Sequence, residues 1–189
     1  MQYKITEETG VDYPGDNGGY ILDFNKWSTI HAYNFSFGQG VSVTPLQTAR
    51  FYSALANGGY VYTPHFLMRY LQAERDEEYD QTELIYNKNA IPVMVDILKG
   101  VLTNGTGTLA NIPGYGIAGK TGTGEIANEQ GEYEKGVYYA SFCGFLAEAN
   151  VPMLCFVGGE RAPTDTGVSP VWKEIMTYTI ERLKLAAKG

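Results

Sequence analysis

The chain has 189 residues, of which 44% are hydrophobic and 19% are charged, and its formal net charge is −7. This length fits one domain or a large part of one, and the acidic balance argues against a nucleic-acid binder, which would concentrate lysine and arginine against phosphates. The two cysteines are too few for a disulfide scaffold, and no apolar run reaches the roughly 18 residues that span a bilayer.

The N-terminal region gives a weak signal for regular structure. Residues 1–35 show no sustained hydrophobic period, so the first clear helix is expected further along the chain. Residues 11–19 contain proline, glycine, aspartate and asparagine in close succession, a composition that predicts consecutive turns.

The first predicted helix has well-defined signals at both ends. Thr44 takes the N-cap position, Pro45 is the first helical residue, and Gln47 occupies the third position, which together make a capping box with a favourable proline. The run 57–59, Asn-Gly-Gly, ends the helix. The apolar residues assigned to its buried face are Leu46, Ala49, Phe51, Ala54 and Leu55.

A loosely alternating stretch and a second helix follow. Residues 61–71 predict a short strand or hairpin arm, and the acid-rich stretch 74–78 predicts a solvated loop. A helix is predicted over 89–103 and ends at the Asn-Gly-Thr-Gly run 104–107. The residues at helical spacing on one face are Ile91, Met94, Val95, Leu98, Val101 and Leu102.

Three strands and a last helix complete the chain. Strands are predicted over 115–123, 137–147 and 151–159, and the short link 148–150 predicts that the last two form a hairpin. The final helix is predicted over 169–187. Its proposed face contains Trp172, Ile175, Met176, Thr179 and Leu183. This order predicts an α+β fold, in which helices flank an antiparallel sheet.

The sharpest chemical signal is the sequence Lys120-Thr121-Gly122-Thr123 at the start of the strand series. A strand edge beside a cleft offers backbone N–H groups to a carbonyl oxygen that becomes an oxyanion. Gly122 would keep this edge open, Lys120 would supply positive potential for proton transfer, and the threonines would offer hydroxyls to a substrate carboxylate. Taken alone, the four residues fit a strand with an exposed lysine and a glycine bulge at least as well. The triplet is also found in penicillin-binding proteins and serine β-lactamases.

Several other segments match one known family in order and spacing, over nearly the whole chain. They lie at 9–15 (Thr-Gly-Val-Asp-Tyr-Pro-Gly), 36–40, 43–47, 56–59, 105–107, 141–145 and 168–172. With these segments and the Lys-Thr-Gly strand, the sequence resembles the C-terminal part of the transpeptidase domain of class B penicillin-binding proteins. The resemblance implies the penicillin-binding/β-lactamase-like fold, with its sheet incomplete here.

The family resemblance implies a serine-type D,D-transpeptidase that needs no cofactor and no metal. Its site combines a Ser-x-x-Lys, a Ser-x-Asn and the Lys-Thr-Gly strand. The serine attacks the carbonyl between two D-alanines of a peptidoglycan stem peptide and forms an acyl-enzyme. An amine of a second stem then takes the acyl group from the serine, which makes the cross-link. The implied partners are stem peptides ending in D-Ala-D-Ala, β-lactams that mimic this end, and other cell-wall synthesis proteins.

Two of the three site elements are absent from the sequence. No serine has a lysine three places on or an asparagine two places on. In the family both elements precede the segment that matches 9–15, so we expect residues 1–189 to be the C-terminal portion of one transpeptidase domain and to be inactive alone. The resemblance also implies a parent protein that is anchored by an N-terminal membrane helix, with this domain on the extracytoplasmic face of the bacterial membrane.

The family roles can be carried over only for the Lys-Thr-Gly strand. Lys120 would be the electrostatic and proton-relay lysine. Thr121 and Thr123 would bind the carboxylate of the substrate or β-lactam, and the Thr123 backbone N–H would donate to the oxyanion. Gly122 would let the substrate lie along the strand. Gly124 stands where the family more often has alanine or serine.

Two alternative functions stay open at this point. One is a β-lactamase or β-lactam sensor, which also uses Lys-Thr-Gly, although the segment 36–47 fits those proteins poorly. The other is a non-catalytic scaffold of a cell-wall assembly. The upstream sequence separates the scaffold from the enzyme, because only the enzyme needs Ser-x-x-Lys and Ser-x-Asn.

The remaining candidate residues favour structural interpretations. His31 and His65 are isolated from carboxylates at metal-ligand spacing, so they predict surface or packing positions rather than a metal site. Cys143 and Cys155 would lie almost opposite each other if the hairpin turned near Ala149, and an extracytoplasmic disulfide is then one possibility. Two buried thiols are the favoured interpretation.

Overall fold

The computed structural model describes residues 5–71, 75–76, 78–128, 130, 133–162 and 167–188. The chain divides into two compact units, Met1–Tyr86 and Asn87–Gly189. Among the helices of the described residues, none combines the length and the apolar content needed to cross a membrane.

The first unit is built from short elements around one helix. In chain order they are β1 (Tyr20–Ile21), a 3-10 turn (Phe24–Lys26), α1 (Thr29–Ser36), β2 (Val41–Ser42), α2 (Pro45–Ala56), β3 (Tyr60–Tyr62), β4 (Arg69–Tyr70), β5 (Arg75–Asp76) and β6 (Gln81–Glu83). The strands form three antiparallel pairs, β1 with β2, β3 with β6, and β4 with β5. Ala54 of α2, Val61 of β3 and Leu84 form the buried cluster of this unit.

The predicted capping box of α2 is confirmed. Thr44 Oγ1 accepts a hydrogen bond from Gln47 N at 3.1 Å, and Gln47 Oε1 accepts one from Thr44 N at 2.7 Å. The Gln47 side chain also reaches back along the chain, where Nε2 donates to the Glu7 carbonyl at 2.8 Å. Gln47, the second residue of the α2 capping box, therefore also holds the N-terminal segment.

Helix α1 was not predicted, because it buries no apolar face that a period could reveal. Its large side chains Ile30 and Tyr33 are exposed, and none of its residues is buried. The helix is held at its start by His31, whose Nδ1 accepts a hydrogen bond from Ser28 N at 3.0 Å. His31 thus has a structural role.

The stretch between β3 and β6 differs in part from expectation. Strands β3 and β4 lie at the two ends of the predicted 61–71 strand region. In the acidic stretch 74–78, predicted as a loop, Arg75–Asp76 instead forms a strand that pairs with β4, and Asp76 makes an exposed ion pair with Arg69. Glu74 and Glu77 lie outside the described residues.

The second unit contains the sheet. Its elements are α3 (Ala90–Asn104), a 3-10 turn (Thr108–Ala110), β7 (Ile117–Ala127), β8 (Tyr133–Leu146), β9 (Leu154–Ala162) and α4 (Ser169–Leu183). The three strands are antiparallel in the order β7-β8-β9. The predicted second helix, the three strands, the hairpin and the α+β class are confirmed, with ends that shift by a few residues.

Helix α4 buries Trp172 and Met176 of the predicted face, but other residues of that face are exposed. Trp172, Met176 and Ile180 enter the core at spacings of four, whereas the predicted Ile175 and Leu183 are 44% and 55% exposed. The helix also ends earlier than predicted, because Lys184 adopts a left-handed conformation with φ 53°. One cluster of buried residues in this unit comprises Leu102, Ala110, Ile112, Ile117, Ala140, Phe142, Leu146, Ala149, Val168, Trp172, Met176 and Ile180.

The two cysteines lie within one residue of being opposite each other, but their side chains do not face each other. Cys143 pairs with Phe156 and Cys155 pairs with Gly144, so the cysteines are offset by one residue and their side chains point to opposite faces of the sheet. The loop between β8 and β9 is longer than the predicted link. Both cysteines are free, as the favoured interpretation of two buried thiols predicts, but only Cys143 is buried and Cys155 is half-buried.

Candidate functional site

The Lys-Thr-Gly motif lies in the middle of β7, an edge strand of the three-stranded sheet. Lys120 lies opposite Cys143 of β8, and Gly122 lies opposite Ser141. The pairing with β8 is regular from Ile117 to Glu125, so the motif has ordinary strand geometry and no bulge. Among the described residues, no strand pairs with the other edge of β7.

The side chains of the motif lie on both faces of the sheet, and two of them, those of Lys120 and Thr121, meet at its edge. Strand alternation places Lys120 and Gly122 on one face and Thr121 and Thr123 on the other. Lys120 nevertheless reaches its neighbour, since Nζ donates to the Thr121 carbonyl at 2.9 Å and to Thr121 Oγ1 at 3.3 Å. The ammonium group and the threonine hydroxyl therefore share the open edge.

Strand geometry indicates a backbone donor that points outward at this edge. In an antiparallel pair, alternate residues turn both their N–H and C=O away from the partner strand. The bond from Lys120 Nζ marks the Thr121 carbonyl as one that points outward. The residue two places on, Thr123, then directs its N–H to the same edge, and Thr123 is exposed.

Gly122 is constrained by the neighbouring strand. A Cβ at this position would lie 2.5 Å from Ser141 Oγ, so the serine hydroxyl occupies the space that a side chain would need. Position 124 is different, since a Cβ there would meet no atom within 4 Å. Replacement of the more usual alanine or serine by Gly124 thus leaves open space beside the strand.

A further hydroxyl lies at the edge of β7. Thr106 Oγ1 is 2.6 Å from Thr121 Oγ1, and Thr106 belongs to the loop that follows α3. The family resemblance included the segment 105–107, but no residue in it was selected as a site residue. Periodicity and spacing give no signal that a loop threonine 15 positions upstream would contact the motif.

The sheet behind the motif is fixed by aromatic packing. The rings of Phe142 in β8 and Trp172 in α4 pack edge to face at 5.0 Å, and Trp172 Nε1 donates to the Cys155 carbonyl at 2.9 Å. Phe142 lies opposite Thr121, so this contact supports β7 from its neighbouring strand.

The thiol opposite the motif lysine is not an activated nucleophile. Burial, together with the nearby Cys155, raises the pKa of Cys143 to about 12, so the thiol stays protonated near neutral pH. A thiol nucleophile requires the thiolate form.

The groups at the edge of β7 are a cation, hydroxyls and an outward N–H, which suit the binding of an anionic ligand and the stabilisation of an oxyanion.

Comparison with known proteins identifies the family. The model of the penicillin binding protein transpeptidase domain matches residues 1–177. The chain is 32% identical over 157 residues to Stage V sporulation protein D of Bacillus subtilis, a match that covers 80% of this chain and 24% of that protein. It is 29% identical over 157 residues to peptidoglycan D,D-transpeptidase FtsI of Escherichia coli, covering 82% of this chain and 25% of that protein.

A solved structure supports the same relationship. Penicillin binding protein 3 of Mycobacterium tuberculosis matches with a TM-score of 0.87 and 26% identity, covering 100% of this chain and 46% of that chain. The chain belongs to the penicillin-binding protein transpeptidase domain family, and the resemblance to the C-terminal part of a class B domain is confirmed. It spans about a quarter of the length of the two curated relatives.

Proposed function

We propose that residues 1–189 are part of a peptidoglycan D,D-transpeptidase that cross-links stem peptides through a serine acyl-enzyme and binds β-lactams. The observation that carries this proposal is the contact of Lys120 with Thr121 at the edge of β7 that no strand of the described residues covers. Membership of the transpeptidase family supplies the reaction class. In this proposal, residues 1–189 form the C-terminal portion of one penicillin-binding transpeptidase domain.

Lys120 supplies positive potential and takes part in proton transfer. Its ammonium already contacts Thr121 at the strand edge, so a ligand that lies along β7 would bring an anionic group within its reach. A positioned acid–base group contributes typically about 100-fold to 10,000-fold to a rate. Lys120 is therefore the residue of this chain whose removal should cost most activity.

Thr121 and Thr123 bind the terminal carboxylate of the donor stem peptide or the carboxylate of a β-lactam. The Thr123 N–H donates to the scissile carbonyl oxygen as it becomes an oxyanion. Gly122 leaves this part of the edge without a side chain, so that the substrate can lie against the strand.

The acylating serine lies outside residues 1–189. None of the six serines has the Ser-x-x-Lys or Ser-x-Asn pattern, and the buried Cys143 thiol is a poor nucleophile. Residues 1–189 alone should therefore fail to react with penicillin. The parent protein is proposed to be membrane-anchored, with this domain on the extracytoplasmic face and with other cell-wall synthesis proteins as partners.

Named relatives support the substrate and ligand classes. FtsI is named as a peptidoglycan D,D-transpeptidase, and penicillin binding protein 3 of Mycobacterium tuberculosis has also been solved in complex with aztreonam and with ampicillin. FtsI and a sporulation protein are both among the relatives.

The test is cross-link formation by the full-length protein that contains this chain. Purified wild-type protein, Lys120→Ala and Lys173→Ala are supplied with glycan strands that carry pentapeptide stems, and cross-linked muropeptides are quantified. Lys173 is an exposed lysine of α4 and serves as the matched control. Lys120→Ala should lose at least about 100-fold in rate, whereas Lys173→Ala should keep wild-type activity. Wild-type cross-linking by Lys120→Ala would overturn the proposal.

A further inference from the structure

The contact between Thr106 and Thr121 joins two elements that are separate along the chain. Their hydroxyl oxygens are 2.6 Å apart, which is a short distance for a hydrogen bond between two hydroxyl groups. Thr106 lies between the end of α3 and the 3-10 turn, and Thr121 lies on the edge strand β7. The loop hydroxyl is therefore in direct contact with a residue of the proposed site.

Proton counting determines which threonine must donate when a ligand is bound. A hydroxyl group has one proton to donate and two lone pairs that accept. The Lys120 ammonium can only donate, and it takes one lone pair of Thr121 Oγ1. A ligand carboxylate can only accept, so Thr121 must give its single proton to the carboxylate. Thr106 must then donate to the second lone pair of Thr121.

The loop is shaped to hold Thr106 in place. Gly107 N donates to the Val101 carbonyl at 3.0 Å, which ties the loop to the last turns of α3. A Cβ on Gly107 would lie 3.2 Å from Leu102, Val101 and Phe142, and a Cβ on Gly105 would lie 2.9 Å from the Val101 backbone. Both glycines therefore let the loop pack closely against its surroundings, with Thr106 between them.

From these contacts we propose that Thr106 is a positioning residue of the site. Its hydroxyl donates to Thr121 Oγ1 and turns the Thr121 O–H toward the ligand carboxylate. Thr106 itself does not touch the ligand. This inference rests on the proposed function, since it assumes that Thr121 binds a carboxylate.

The test measures acylation of the full-length protein by benzylpenicillin and by its methyl ester, which lacks the carboxylate. The variants are Thr106→Val, which keeps the shape but removes the hydroxyl, and Thr106→Ser, which keeps the hydroxyl. Thr103→Val is the matched control, because the Thr103 hydroxyl bonds to the Gly100 carbonyl of its own helix. Thermal unfolding of each variant checks that it is folded.

Thr106→Val should lower the acylation rate with benzylpenicillin by about threefold to tenfold, as expected for one hydrogen bond. The slower reaction with the ester should change by less than about twofold, and Thr106→Ser and Thr103→Val should match the wild type with both reagents. Equal losses with acid and ester would show a merely structural effect and overturn the inference. An unchanged rate with benzylpenicillin would also overturn it.

A double-mutant cycle gives a second, independent readout. In a Thr121→Val background, Thr106→Val should have no further effect on acylation, because the hydroxyl that it positions is gone. Additive losses would contradict the inference while leaving the proposed function intact. Failure of the wild-type protein to acylate with either reagent would instead overturn the proposed function, and the inference with it.

Discussion

Gly122 in β7 and Ser141 in β8 lie directly opposite each other, and the serine hydroxyl occupies the space beside the glycine. A Cβ at 122 would come within 2.5 Å of Ser141 Oγ. The absence of a side chain at this point of the motif therefore has a structural cause within the sheet, besides the proposed approach of a substrate along the edge.

Alanine substitutions at three glycines of β7 should lower the free energy of unfolding by amounts that depend on the atoms the new Cβ meets. Gly124→Ala meets nothing within 4 Å, Gly122→Ala meets the rotatable Ser141 hydroxyl, and Gly119→Ala meets the Phe142 ring and the Cys143 carbonyl at 2.7 and 2.8 Å. The expected losses in unfolding free energy are none for Gly124→Ala, about 1 kcal/mol for Gly122→Ala and about 3 kcal/mol for Gly119→Ala. Urea unfolding midpoints measure the order.

Ser141→Ala provides the control for this ranking. It removes only the hydroxyl that a side chain at 122 would displace, so it should restore most of the stability lost in Gly122→Ala and none of the stability lost in Gly119→Ala. Equal stability of the Gly122→Ala and Gly124→Ala proteins would show that the Ser141 contact has no energetic consequence.

The Gln47 side chain should contribute more to the free energy of unfolding than an exposed polar side chain does. It is 3% exposed, accepts from Thr44 N and donates to the Glu7 carbonyl. Gln47→Ala leaves both groups without this partner, so we expect a loss of about 2 kcal/mol or more in unfolding free energy. The exposed Gln81 of β6 gives the matched control, Gln81→Ala, which should change stability by less than about 0.5 kcal/mol. Similar unfolding midpoints for the two variants would contradict the role assigned to Gln47.

Because of the Cys143 thiol, the free energy of unfolding should decrease as the pH rises above 9. Burial raises the pKa of its thiol from the ordinary value of 9.0 to about 12, so above pH 9 the unfolded chain releases this proton while the folded chain keeps it. The unfolded state then binds fewer protons, and stability falls as pH rises, by at most about 1.4 kcal/mol per pH unit for one proton. This contribution is fully present below pH 9 and lost by about pH 12.

Urea unfolding of wild type and Cys143→Ala between pH 8 and pH 11 isolates this effect from the other groups that titrate there. The free energy of unfolding should fall more steeply with pH in the wild type than in the variant. Parallel curves would mean that the Cys143 thiol has the same pKa in the folded and unfolded chains.

Features carried by local sequence were predictable. The α2 cap depends on two residues three positions apart, Thr44 and Gln47, so the sequence alone specifies it. The motif strand was found because the residue types at 120–123 and the order of other segments match a family. Helix α1 was missed because none of its residues is buried, so it has no buried apolar face to produce a period.

Features that depend on the register between strands or on distant contacts were not predictable. In the observed register Cys155 lies opposite Gly144, the neighbour of Cys143, and this shift of one residue turns the Cys155 side chain to the other face of the sheet. The contact of Thr106 with Thr121 requires the path of the chain from α3 to β7, which no local pattern encodes.

Peptide mapping after reaction with benzylpenicillin tests the central claim most directly. The full-length protein and residues 1–189 produced alone are each treated with benzylpenicillin, digested and analysed by mass spectrometry for a penicilloyl adduct. We predict one modified serine in the full-length protein, outside residues 1–189, and no adduct on residues 1–189 alone. An adduct on any of the six serines of this chain, or no adduct in the full-length protein, would contradict the claim that β7 is one wall of a site whose nucleophile lies elsewhere.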